Sequence, residues 1–251
     1  MILHGVDFSG AESGGATKIR VVERNTRDRS APIVFVSRVD RKGLLRSIRE
    51  SVGDNREHLW RIDAPFSLPI ETLDELSIAH DWLTMAKWMR DFGSPRGWRH
   101  DVRAVTRKEP KRVCDREERT PMAPMNLRVF KQTWTLICEV LLPLAEEGVR
   151  IEPVVNRNAD AKVIVCEGCP ASILQRYGWP SRGYKGTGEP PREARAMIAS
   201  RLRSVGVIIP DAMAESAVAD EEGDLLDAIV LTTPPTHTVA PHQAGVEAWV
   251  Y

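Results

Sequence analysis

Short apolar runs bounded by turn residues dominate the first sixty positions. Residues 2–7, 18–24 and 33–37 are predicted as three consecutive strands, the first two joined by a small-residue turn from Phe8 to Thr17. The period then changes: Leu44, Leu45, Ile48 and Val52 share one face of a helix over 41–52. Residues 58–63 read as a fourth strand, stopped by Pro65. Thr72 and Glu75 have capping-box spacing, which predicts a helix running to about Phe92. The clearest helical period, in Leu127, Phe130, Trp134, Ile137, Cys138, Leu141 and Leu144, predicts a helix over 127–147 ended by Gly148. Further on, 163–166 reads as a strand, 192–205 and 225–231 as helices, and 246–251 as a possible last strand.

Three strands in succession suggest an antiparallel meander, whereas strands reached through helices should run parallel to a neighbour. The expected product is one α/β domain over 1–251, a mixed sheet with helices on both faces. Residues 93–126 and 178–191 are rich in glycine, proline and charge, and are expected to be irregular insertions.

Against this pattern, several carboxylates stand where charge is costly. Asp7, Asp63 and Glu167 each follow an apolar strand residue (Val6, Ile62) or close an apolar run, and Asp224 and Asp227 lie three apart in the last helix. Sites in open sheets form at the carboxyl ends of parallel strands, so these acids could converge. Individually each has an ordinary use: Asp63 as a turn former, Asp224 as a helix cap. Jointly, four or five carboxylates suit two Mg²⁺ or Mn²⁺ ions, which can activate water and offset charge in phosphodiester hydrolysis.

Charge distribution changes the picture more than composition does. Net charge is +0 in 251 residues, yet Lys and Arg crowd the middle and none follows Arg203. A basic middle suits a polyanion; two oppositely charged solvated faces of one fold would look the same. Arg112, Arg116, Arg119 and Lys131 are the candidate contacts to a nucleic-acid backbone. Lys185, in a flexible loop, could contact a phosphate or sit in solvent. Of the tryptophans, Trp82, Trp88 and Trp98 could stack on bases, although packing is the commoner use. Cys166 and Cys169 form a Cys-x-x-Cys without a second pair, so two buried thiols are expected rather than a metal or redox site. His4 is expected to pack, and His237 and His242 have no ligand spacing. No apolar run reaches membrane length and no signal peptide is apparent, so a cytoplasmic location is the default expectation.

Gly5-Val-Asp-Phe-Ser-Gly-Ala, Ile62-Asp-Ala-Pro-Phe-Ser-Leu-Pro, Glu167 with Pro170, Tyr184-Lys-Gly and Asp224-Leu-Leu-Asp-Ala resemble domain of unknown function family 429. Cys114-Asp-Arg through Phe130-Lys-Gln resembles that family's central region, and Glu247-Ala-Trp-Val its end. The family is grouped with predicted nucleases of the ribonuclease H-like superfamily, and the order of acids is similar to that of Holliday-junction resolvases. The resemblance implies Asp7 as the central metal-bridging ligand, Asp63 at the fourth-strand position, Glu167 as an additional acid, and Asp224 with Asp227 completing the shell. It also implies a possible homodimer. Ala171 departs from the family pattern, where an acid commonly follows the proline.

Two other functions share these features. An ATP-using phosphotransferase of the actin and sugar-kinase type would use the glycine-containing turn after Asp7 to cradle phosphates, but it needs two copies of the fold. A non-catalytic nucleic-acid-binding member would keep the fold without taking up metal.

Overall fold

The computed structural model describes residues 1–251 apart from 12–17, 107, 157, 159 and 235–239, and apart from the side chains of Ser37 and Arg38. Residues 12–17 of the turn after Asp7, and His237, therefore lie outside the described residues. The elements in chain order are β1 (Ile2–Asp7), β2 (Ile19–Asn25), β3 (Val34–Val39), α1 (Arg41–Val52), β4 (His58–Asp63), α2 (Ile70–Glu75), α3 (Trp82–Asp91), α4 (Pro95–Val105) and α5 (Val113–Glu117). They continue with α6 (Phe130–Leu136), a π-helical turn (Ile137–Leu141), α7 (Leu142–Glu146), β5 (Arg150–Glu152), β6 (Val163–Gly168), α8 (Pro170–Arg176), α9 (Glu189–Ser204), α10 (Asp211–Ala219), α11 (Asp224–Val230) and α12 (Ala244–Glu247).

The six strands form one sheet in the order β3-β2-β1-β4-β6-β5. β1, β2 and β3 pair antiparallel as a meander; β4 pairs parallel to β1, and β6 parallel to β4 and β5. This is the expected mixed sheet, an antiparallel meander followed by parallel strands. One face carries a core of Val6, Ile62 and Val165 with Leu44, Met85, Trp98 and Leu141. The other packs Val22 against Ile198, Leu202, Leu226 and Ile229. Helices therefore cover both faces, as the burial of parallel strands requires. Among the described residues no helix is long and apolar enough to cross a membrane.

Several boundaries differ from the pattern-based expectation, for local reasons. The helix expected to run from Thr72 to about Phe92 is two helices, because Ser77 takes a left-handed φ of 54° and the Asp81 carboxylate accepts from Thr84 N to begin α3. The stretch 93–126 is not wholly irregular: Ser94 accepts from Gly97 N, Pro95 follows, and α4 buries Trp98 and Val102. Leu127 precedes α6 and is exposed. The three-residue β5 and the helix α10 had no counterpart in the pattern. The C-terminal segment forms α12 and a single bridge from Val250 to Glu167 rather than a strand.

Candidate metal centre

Strand alternation decides which acids meet. Successive side chains of a strand point to opposite faces. Val6 and Ile62 enter the core beneath α1 and α3, so Gly5, Asp7, Arg61 and Asp63 face the α11 side. Asp7 and Asp63 are register partners in the parallel β1–β4 pair. α11 lies directly on β1 because residue 5 is glycine: a Cβ there would stand 2.1 Å from the Ala228 carbonyl oxygen and 3.0 Å from Leu231 Cβ. That close approach lowers Asp227 toward the strand ends. Among the described residues, Asp7, Asp63 and Asp227 are the group of carboxylates, histidines or cysteines able to share one ion, each offering an atom within 4.8 Å of the others. Gly5→Ala is expected to push α11 outward, lowering stability by about 1–3 kcal/mol and weakening Mn²⁺ binding; a urea melt and a calorimetric titration of the variant check both.

Asp224 sits one turn before Asp227 on α11 and lines the same cleft. It is not the helix cap: Gly223 occupies that position with φ 77°, and the Asp220 carboxylate accepts from Leu225 N. Lys185 Nζ lies 2.6 Å from one Asp227 carboxylate oxygen, and the Tyr184 hydroxyl donates to the other at 2.8 Å. Tyr184 was not singled out as a site residue, although its place beside Lys185 was the available signal. Its loop is held from behind by the buried Arg195, whose Nη1 donates to the Tyr184 and Gly186 carbonyls.

Glu167 does not join this group. It is in register with Ile62 rather than Asp63, so it points to the opposite face; the position beside Asp63 is Gly168. Its carboxylate accepts from Arg112 Nη2 at 2.6 Å, Arg112 Nη1 at 2.7 Å and Phe66 N at 2.9 Å. Arg112 also donates to Asp115 at 2.9 and 3.0 Å and is 1% exposed. Glu167, expected as a further ligand, thus lies outside the three-carboxylate group and is paired with Arg112, which is itself buried rather than exposed; both line the same cleft as the aspartates. Arg116 is exposed and donates to the Lys111 carbonyl; Arg119 is exposed and lines the cleft; Lys131 is half-buried in the first turn of α6.

The remaining candidates fall in ordinary places. Trp82 and Trp98 are core residues, and Trp88 packs edge-on against Phe92. All four cysteines are buried free thiols; burial pushes Cys166 and Cys169 up to about 12, far from thiolate formation near neutrality. His4 is buried, stacked on Trp60 and bonded to His58 at 2.9 Å. His242 is exposed before α12.

The cleft has a volume of about 580 Å³ and is lined by Asp7, Asp63, Asp224 and Asp227 together with Lys185 and Arg128. Burial, then the charges of Asp224, Asp227 and Asp63, hold the Asp7 carboxyl well above the usual range. Burial and Asp227 push Asp63 up to about 8, and burial pushes Asp224 to about 6 while Lys185 pulls the other way. Burial opposes the charge on Lys185, but Asp227 outweighs it and raises the ammonium's pKa. Carboxylates crowded together resist ionisation unless a cation joins them.

No protein-family model matches the chain, and neither curated proteins nor solved structures give a match.

These raised carboxyls set a pH dependence. Asp63 in the unfolded chain ionises near pH 4, whereas in the fold it keeps its proton to about 8. Between those values the folded state binds more protons, so metal-free stability falls as pH rises. His4, held neutral down to about 3 by burial and His58, acts in the opposite sense only below its unfolded value of 6.5. Thermal melts in EDTA between pH 6.5 and 8 are expected to show a falling Tm, and Asp63→Asn to flatten the decline.

Proposed function

We propose that this protein is a metal-dependent nuclease that hydrolyses phosphodiester bonds. The observation that carries this reading is the convergence of the Asp7, Asp63 and Asp227 carboxylates at the carboxyl ends of two parallel strands, in an open cleft. The donors are hard oxygens with one lysine among four aspartates, which suits Mg²⁺ or Mn²⁺ and disfavours softer metals that seek nitrogen or sulfur.

Asp7, Asp63 and Asp227 would hold the metal, with Asp224 at the rim. Divalent ions in such a site lower the pKa of water and offset charge on the leaving oxygen. The chain's own residues supply position. Tyr184 fixes the rotamer of Asp227 through its 2.8 Å hydrogen bond. The Lys185 ammonium already occupies the mouth of the acidic group, with its side chain 49% exposed. With a divalent ion held by these aspartates, Lys185 would be free to bind a non-bridging phosphate oxygen and to stabilise the charge that builds there in the transition state. The cleft's volume of about 580 Å³ and its flanking Arg119 and Arg128 suit a polymeric substrate.

The resemblance to family 429 and to resolvases points to the same class of reaction. The ATP-using and non-catalytic alternatives draw no specific observation: residues 12–17 of the turn that would cradle phosphates lie outside the described residues. The direct test is incubation of the purified protein with end-labelled single-stranded, duplex and branched DNA and with RNA, in Mn²⁺, Mg²⁺ or EDTA. Cleavage of any of these that EDTA stops is expected. Full resistance of every substrate in both metals would contradict the proposal.

A further inference from the structure

A second basic feature lies outside the cleft. Helix α4 places Arg96, Arg99, His100 and Arg103 at positions that recur on one side of a helix, three, four and seven residues apart. Together with Ala104 and the ring of Phe130 they line a groove of about 480 Å³. The opposite side of α4 is sealed by Trp98 and Val102, each 0% exposed. The basic side therefore faces outward because the apolar side is fixed in the core.

The groove's chemistry is that of an anion receptor. Arg99 stacks over the Phe130 ring at 5.2 Å, and its Nε donates to the Met125 carbonyl, which fixes the guanidinium in place. Glu109 takes one Arg99 nitrogen at 2.7 Å and lies 4.0 Å from Arg103 Nε. Among the described residues, the buried Nη1 of Arg103 has no hydrogen-bond partner. A buried guanidinium nitrogen without an acceptor is costly; the rest of the Arg103 side chain, 31% exposed, can still offer a guanidinium nitrogen to a phosphate oxygen. Glu109 faces the basic side, and Asp101 pairs with exposed His100 at 2.9 Å. From Pro95 to Lys131 the chain carries eleven Lys or Arg against five Asp or Glu. The groove also adjoins the cleft: Phe130 lines one, and Arg128 and Val129 just before it line the other.

We infer that the α4 groove binds the sugar–phosphate backbone of a nucleic acid at a point away from the bond to be cut. The inference rests on the nuclease reading for the kind of polymer, but not on cleavage itself. Backbone contacts of this kind set position and register rather than sequence, and they release counterions. Arg96 and Arg103 are the contacts expected to matter; Arg99 holds the groove's shape.

The test is fluorescence anisotropy with labelled oligo(dT), oligo(U) and a DNA duplex, each 24 nucleotides or base pairs long, titrated in EDTA across a salt series. EDTA removes any dependence on cleavage. The double variant Arg96→Gln with Arg103→Gln is expected to bind at least one of these probes about tenfold more weakly and to lose about two units of log–log salt slope. Ala104→Lys, which adds a charge on the exposed groove wall, is expected to bind more tightly. Circular dichroism melts of both variants check folding. Unchanged affinity and slope in a folded double variant would overturn the inference, as would wild-type protein that binds heparin but none of the three probes. A wild type that binds with the expected slope yet cuts nothing would leave this groove standing while the nuclease proposal fails.

Discussion

Asp7→Asn is expected to abolish divalent-metal-dependent cleavage, a loss of about 10³-fold or more in rate, with the fold retained. Asp7 ends the central strand, between the meander and the parallel half of the sheet, and its carboxylate has Asp63 beside it and Asp227 opposite. The asparagine amide keeps the size of the side chain but lacks the anionic oxygen that a hard cation needs. The change also removes one of a set of mutually repelling carboxylates, whose burial and proximity hold Asp7 well above its usual pKa. Metal-free Asp7→Asn protein should therefore melt at or above the wild-type temperature. A large fall in activity paired with undiminished stability is what separates a functional carboxylate from a structural one. Steady-state cleavage in Mn²⁺, alongside thermal melts in EDTA, measures both.

Arg112→Ala is expected to do the reverse, destabilising the fold by about 3–5 kcal/mol because it leaves two buried carboxylates unpaired. Arg112 ties α5 to β6 through Asp115 and Glu167, and its Nη1 also donates to the Glu247 carbonyl. The Glu247 carboxylate in turn accepts from Ile70 N and Val113 N. One guanidinium thus links the last turns of the chain, the insertion before α6 and the fifth strand position in the sheet order. Removing Arg112 strands Glu167, at 3% exposure, and Asp115, at 1%. Burial already raises Glu167 above its ordinary pKa despite the arginine, and losing Arg112 would raise it further. Urea denaturation at pH 7 gives the magnitude. The double variant Arg112→Met with Glu167→Gln is expected to recover part of the loss, since it takes both charges out of the interior together.

The sheet was legible because its signals are local. Each of the first four strands is a short apolar run with a turn on either side, and the meander-then-crossover order leaves few topologies. What stayed hidden was encoded in tertiary contacts or in weak local signals. β5 spans three residues and is a strand only because β6 offers it an edge. The break at Ser77 replaces a helix that the periodicity alone would continue. Ser94-Pro95 was a readable start signal for α4, masked by the glycine, proline and charge around it.

The acids divide along the same line. The convergence of Asp7, Asp63 and Asp227 follows from strand-end placement and helical spacing, both visible in the residues. The separation of Glu167 was also within reach. Val163, Val165 and Glu167 alternate on the core face of β6, so the acid that ends this series points away from the side that Asp63 uses. What no spacing could show is that Arg112, far away in sequence, reaches back to hold Glu167. A cation in a basic run reads as a surface contact until burial shows otherwise. The packing of α11 on β1 was likewise invisible, since Gly5 gains its meaning only from the Ala228 carbonyl above it.

The proposal requires Asp7, Asp63 and Asp227 to share divalent metal at the ends of β1 and β4. Crystals soaked in Mn²⁺ and measured at a wavelength where manganese scatters anomalously test it most directly. An anomalous peak is expected within coordination distance of Asp7, Asp63 and Asp227, with Lys185 drawn away from Asp227. No peak at Mn²⁺ concentrations that saturate ordinary carboxylate sites, with the Lys185–Asp227 pair still closed, would contradict it.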